Sequence, residues 1–192
     1  MVLNIFCCGV LKKELQQVLE DITPVVNYRI SYLEPGLHVD MDRLAQNVKS
    51  LLREKESEDK LLLLGTQCHP ELNTIAASYK ASIPSAGNCI EMLLGDKKTF
   101  LDQEAKTFYL TPGWLENWRQ IFIEGLGWDS VDARQNFGLY ERILLLDTDV
   151  YTIEDEKILE FFDYTQVPVE TKSVKLDDFR EIIRNFMETT AL

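Results

Sequence analysis

Every cysteine and histidine of this chain falls where a strand is expected to end. Cys7-Cys8-Gly9, Gly36-Leu37-His38, Gln67-Cys68-His69-Pro70 and Asn88-Cys89-Ile90-Glu91 together hold all four cysteines and both histidines. A free cysteine is otherwise a small buried hydrophobe, so thiols serving only as filling would favour strand interiors and helix faces. The grouping predicts a shared functional cluster. Thiolate and imidazole donors together select zinc or iron over magnesium or calcium, because soft and borderline ligands match soft and borderline cations. The expected metal set is Cys8, Cys68 and Cys89, with His69 or His38 as the fourth ligand. Three cysteines can instead hold an iron–sulfur cluster and leave one corner to another donor. These spacings match no zinc ribbon or finger, so only the fold can bring the residues together.

Neighbours in a strand point to opposite faces. Cys7 is therefore read as the last core residue of the first strand, and Cys8, nearer the turn, as the one facing the site. A second chemistry is a bare activated thiol. Pro70 suits the first turn of a helix, where its missing N–H costs nothing. Cys68 would then precede a helix N-terminus whose partial positive charge favours thiolate, making it the candidate nucleophile. His69 is beside it either as a partner or as a capping group. Glu91, on an expected first helical turn, is a candidate base, a ligand, or a complement to the helix dipole. Thr111-Pro112-Gly113-Trp114 places an indole at another strand end, and Trp118 follows at helical spacing, so both rings are expected on one helix face. Trp114 would roof a flat ligand or belong to the core. Asp147-Thr148-Asp149 ends a further strand and offers oxygen ligands for Mg²⁺ or a ribose hydroxyl.

The elements that must position these residues are legible from periodicity. Short β-branched or leucine-rich runs at Leu3–Cys8, Asn27–Leu33, Lys60–Gly65, Ser82–Ala86, Thr107–Leu110, Arg142–Leu146 and Val167–Val174 read as strands. Amphipathic helices are expected over Lys12–Ile22, Met41–Lys55, Pro70–Lys80, Cys89–Leu94, Leu115–Leu126, Glu154–Asp163 and Asp177–Thr189. The alternation specifies an α/β fold: a mostly parallel, Rossmann-like sheet with helices on both faces and the site at the carboxyl ends of its strands. Residues 1–192 would form one such domain, or two Rossmann-like lobes with a boundary near 100–115.

Composition removes several function classes. With 32 acidic against 20 basic residues the formal charge is −12, which repels phosphate backbones and anionic membranes; nucleic acid is not an expected partner. No run is apolar and long enough to span a bilayer, and MVLNIFCCGVLKKE lacks a basic leader region and a cleavage site. A cytoplasmic protein with reduced thiols is expected. Gly9 stands alone where a phosphate-binding fingerprint needs several glycines, and no Gly-x-Ser-x-Gly elbow is present.

CCGVLKKEL, LGTQCHP, NCIEMLLG and FYLTPGWLENW together resemble the uncharacterised family known as domain of unknown function 1638, over Cys7 to about Asp149. The matching positions are Cys8-Gly9, Cys68, and Cys89 with Leu94-Gly95; the loop after the third strand is commonly glycine-rich in that family, whereas this chain has Cys68-His69-Pro70-Glu71. The resemblance implies a role near corrinoid-dependent methyltransferases of anaerobes, in methyl transfer or cofactor handling, with a small molecule or a methyl-carrier protein as partner. The expected function is thus a metal- or iron–sulfur-binding Cys/His site, with Cys8, Gly9, His38 and Trp114 against any bound cofactor. The alternatives are a non-catalytic carrier of corrinoid or metal that docks on a methyltransferase, and a metal-free enzyme using Cys68.

Overall fold

A computed structural model describes residues 2–22, 26–54 and 59–190. Two parallel sheets organise them. The first has the order β2-β1-β3-β4, with β1 at Val2–Cys8, β2 at Asn27–Leu33, β3 at Asp59–Leu63 and β4 at Ala81–Ser82. The second has the order β5-β6-β7, with β5 at Thr107–Leu110, β6 at Arg142–Asp147 and β7 at Val169–Ser173. The helices are α1 (Lys12–Asp21), α2 (Met41–Arg53), α3 (Leu72–Ser78), α4 (Cys89–Leu94), α5 (Lys97–Glu104), α6 (Pro112–Glu116), α7 (Ser130–Phe137), α8 (Asp155–Thr165) and α9 (Asp177–Thr190). This is the expected α/β, Rossmann-like arrangement. None of the described helices is long and apolar enough to cross a membrane.

The period-two alternation of the strands sorts the core. Leu3, Ile5, Cys7, Leu61 and Leu63 face one way, against Leu15 and Val18 of α1, Leu93 of α4 and Phe179 and Ile183 of α9. Phe6, Leu62 and Leu64 face the other way, against Leu44 and Val48 of α2 and Ile75 of α3. In the second sheet Ile143 and Leu145 pack with Phe137 of α7 and Phe161 of α8, whereas Leu144 and Leu146 turn into the core of the first sheet. The two sheets therefore share a hydrophobic core. α9 runs back from the second sheet onto the first, where Arg180 bonds Asp21 at 2.7 Å and Asp178 bonds Lys97 at 2.7 Å.

Three helices depart from expectation. α5 and α7 bury only Leu101, and only Ala133 and Phe137, respectively; so few apolar positions leave no helical period to detect. The helix expected over Leu115–Leu126 ends at Glu116, and a wider π-helical stretch, Arg119–Gly125, follows. The helical turn is broken at Asn117, between Trp114 and Trp118, and the two indoles meet different neighbours. Trp118 packs on Tyr164 and Phe161, with centroids 4.7 and 5.6 Å apart, while Trp114 meets His38 and Phe122. The expected end of α2 at Lys55 lies outside the described residues.

Candidate functional site

The carboxyl ends of β1, β3 and β4 meet because their loops are zipped together by backbone. Beyond the last paired strand residues, the Thr66 N–H donates to the Ala86 carbonyl at 3.0 Å and the Gln67 N–H to the Gly87 carbonyl at 2.8 Å. The contact is so close that a Cβ on Gly65 would lie 2.1 Å from the Gly87 oxygen; only glycine fits there. The Asn88 side chain caps α4 by accepting from the Glu91 N–H at 3.0 Å, a common way of satisfying a free helix N–H. This places Cys89 at the start of α4, next to the loop that carries Cys68.

The second sheet closes the site. In the turn after β5, Thr111 accepts from the Trp114 N–H at 3.2 Å, Pro112 starts α6, and Gly113 rests on the carbonyl oxygen of Val10, just past Cys8. Trp114 is thereby delivered over the cysteines. A cavity of about 340 Å³ results, lined by Cys8, Cys68 and Cys89 together with Phe108, Trp114 and Tyr140. His38 reaches it from the 3₁₀ turn Leu37–Val39, which Gly36 opens with a φ of 73°. Its ring lies 5.0 Å from the Trp114 indole.

Electrostatically the cavity holds thiols as thiols. Burial raises Cys8 to about 11; a hydrogen bond from the Val10 backbone opposes this, and nearby Cys68 adds to it. Burial pushes Cys89 up further, reinforced by Cys8 and Cys68 and partly offset by a hydrogen bond from the Trp114 indole. Cys68 is also raised by burial, against a backbone hydrogen bond at Gly65. Burial lowers His38, so its imidazole is neutral near pH 7. Cys8 thus senses Cys68, and Cys89 senses both. Among the described residues no three Cys, His, Asp or Glu side chains stand close enough to hold a metal ion as they are.

The expected site residues divide. Cys8, Cys68, Cys89, His38 and Trp114 converge on the cavity. Cys7 is fully buried in the core, as alternation requires. His69 is turned away: its Nδ1 accepts the Glu71 N–H at 3.0 Å, so it stabilises a turn. That turn also corrects the reading of Pro70 and Cys68. α3 begins only at Leu72; before it His69 closes a turn, its carbonyl accepting the Leu72 N–H at 3.1 Å and its Nδ1 the Glu71 N–H. Cys68 therefore stands off the helix terminus and gains no lowering from it. Glu91 spends its carboxylate on the Gly87 N–H at 2.6 Å and faces an outer groove, not the cavity. Gly9 is placed by packing: a Cβ there would lie 2.6 Å from the Leu33 oxygen. Asp147 accepts the Asp149 N–H at 2.9 Å and closes a tight turn on itself.

Sequence reasoning missed part of the wall. Phe108 and Tyr109 lie on β5, and applying the strand-end rule to aromatics as well as to thiols finds them. Tyr140 follows α7, whose two buried residues give no helical period in the sequence. Gln67, next to Cys68, lines the cavity as well.

No curated protein and no solved structure matches this chain. A family model described as a protein of unknown function does match, over residues 32–183, which takes in His38, Cys68, Cys89 and Trp114. The chain belongs to the DUF1638 family.

Proposed function

We propose that this protein binds zinc or iron through Cys8, Cys68 and Cys89, with the aromatic cavity beside the thiols as the place where a small ligand meets the metal. The observation that carries the reading is the convergence of three thiols from three strand ends on one buried cavity. Burial makes each of the three harder to ionise, and the neighbouring sulfurs add to this at Cys8 and Cys89. A divalent cation reverses that logic, because a coordinating thiol is deprotonated outright. The donor set suits the ion, and binding it requires the three side chains to turn towards one another, since no three donors among the described residues are close enough as they stand.

The chain's own residues then have separate tasks. Cys8, Cys68 and Cys89 ligate, the Trp114 indole N–H orients the Cys89 sulfur, and the Gly65–Gly87 contact holds the two loops in register. His38 supplies a neutral imidazole at the edge of the cavity, either as fourth ligand or against the ligand. A thiolate-bound metal with an open position offers a Lewis acid at which a sulfur or methyl donor is activated. That chemistry fits the role in anaerobic methyl metabolism that the family resemblance implies. A metal-free nucleophile is disfavoured, as all three thiols are raised and Cys68 lacks a helix terminus.

The test is metal analysis and anaerobic titration with Co²⁺ as a coloured substitute for zinc, on protein without a histidine tag. The expected result is one ion per chain with sulfur-to-cobalt charge-transfer absorption, abolished in Cys68→Ser and Cys89→Ser. A folded protein that takes up neither zinc, iron nor cobalt overturns the reading.

A further inference from the structure

The charge inventory of the cavity wall points to the class of ligand it takes. Lys98 is the one charged side chain among the described residues that line it, and that ammonium is already engaged: it lies 2.6 Å from Asp102, which also accepts the Tyr109 hydroxyl at 2.6 Å. His38 stands against Trp114, their ring centroids 5.0 Å apart. Asn88 is spent on capping α4, and Gln67 lies against Gly87. The Thr107 hydroxyl is engaged by the Ala105 carbonyl at 3.0 Å and by Arg142 at 2.9 Å, and the remaining side chains of the wall are aromatic, aliphatic or thiol. A carboxylate, phosphate or ammonium entering this space would lose its water without gaining a free opposite charge, and an uncompensated buried charge is costly. The volume, about 340 Å³, is at the lower end for small-molecule sites.

We propose that this cavity binds a small uncharged organic thiol, its carbon chain against Phe108, Trp114 and Tyr140 and its sulfur towards Cys8, Cys68 and Cys89. The position of the sulfur rests on the metal reading above, since a fourth soft donor completes a three-thiolate set. The selection against charge rests on the wall alone. With a metal bound, the thiol would join it as thiolate and give its proton to solvent, with no electron transferred.

Cobalt-loaded protein, kept anaerobic, is titrated with 1-propanethiol, 3-mercaptopropionate and 2-aminoethanethiol, which differ chiefly in terminal charge. 1-Propanethiol is expected to change the charge-transfer spectrum at concentrations at least tenfold lower than either charged thiol. Lys98→Gln is expected to leave that order unchanged. Equal or tighter binding of 3-mercaptopropionate, lost in Lys98→Gln, overturns the proposal, because Lys98 would then leave Asp102 for the ligand. A cobalt spectrum that no thiol alters overturns it too. Should the protein take up no metal, the same series is followed by indole fluorescence with Trp114→Phe as the blank. Preference for 1-propanethiol there keeps the ligand class while the metal reading falls; absence of preference removes both.

Discussion

Gly113 stands against the carbonyl oxygen of Val10 so closely that a Cβ would lie 2.1 Å from it. That single approach seats the start of α6 on the turn leaving β1, and with it fixes Trp114 over Cys8 and Cys89. Gly113→Ala cannot be absorbed by a side chain, since the obstacle is backbone. We expect a loss of about 2 kcal/mol or more in chemical denaturation, in the range of overpacked sites, together with a weaker cobalt–thiolate spectrum. Unchanged stability and unchanged metal affinity would show that α6 does not hold the site together.

Glu14 on α1 is fully buried and accepts the Thr148 hydroxyl at 3.2 Å with one carboxylate oxygen, while the other oxygen has no partner. Burial pushes its pKa from 4.5 up to about 7; its hydrogen bonds and Lys13 oppose the rise, and Glu116 adds to it. A carboxyl with a raised folded-state pKa keeps its full contribution below its unfolded pKa and loses it as pH rises through the folded one. Stability should therefore fall between about pH 4.5 and pH 7, by roughly 3 kcal/mol in all from this group. Glu14→Gln should flatten that slope in pH-dependent thermal melts. A wild-type slope that survives the substitution unaltered assigns it to other groups.

Cys7 and Cys8 are adjacent but differ in environment, one in the core and the other at the cavity. Cys7→Ser is expected to retain metal stoichiometry while losing about 1–3 kcal/mol, because it buries a hydroxyl among apolar groups. Cys8→Ser should do the reverse, with little change in stability of the metal-free protein and loss of the cobalt spectrum. Exchange of the two phenotypes would mean that β1 enters the site in the other register.

His69 serves the turn and not the cavity, so His69→Ala should leave one ion bound per chain. The cost is the hydrogen bond to the Glu71 N–H, about 1 kcal/mol. Loss of metal binding in this variant, with the fold intact by circular dichroism, would reinstate His69 as a ligand.

Replacing Asn88 by Ala removes the side-chain acceptor at the start of α4 and should cost about 1 kcal/mol. Because Cys89 is the first residue of that helix, the rate at which it is alkylated should rise as the end frays. Equal rates in the two proteins would show that packing, not the cap, holds Cys89.

The amino-acid sequence by itself determined most of the strands and their order of appearance, because period-two and period-3.6 apolar patterns are local; the run Ser82–Ala86 departs from this, since the fourth strand is only Ala81–Ser82. It determined that α4 starts at Cys89, since Asn88 caps and Ile90, Met92, Leu93 and Leu94 bury. From the same alternation it separated Cys7 from Cys8, and by its choice of residue types it marked the carboxyl edge of the first sheet. The tertiary structure decided which of those residues meet. His69 is one residue from Cys68 and yet faces elsewhere, because its imidazole finds a backbone N–H two residues on. Trp114 is distant in sequence from Cys8 and arrives beside it, because β5 belongs to a second sheet whose Leu144 and Leu146 share the first sheet's core. Glu91 was diverted from the site by the N–H of Gly87, and Phe108 and Tyr140 were brought into it. Spacing along the chain carries none of this, since which loops touch depends on long-range packing and on backbone contacts, at Gly65 and Gly113, that only the assembled sheets create.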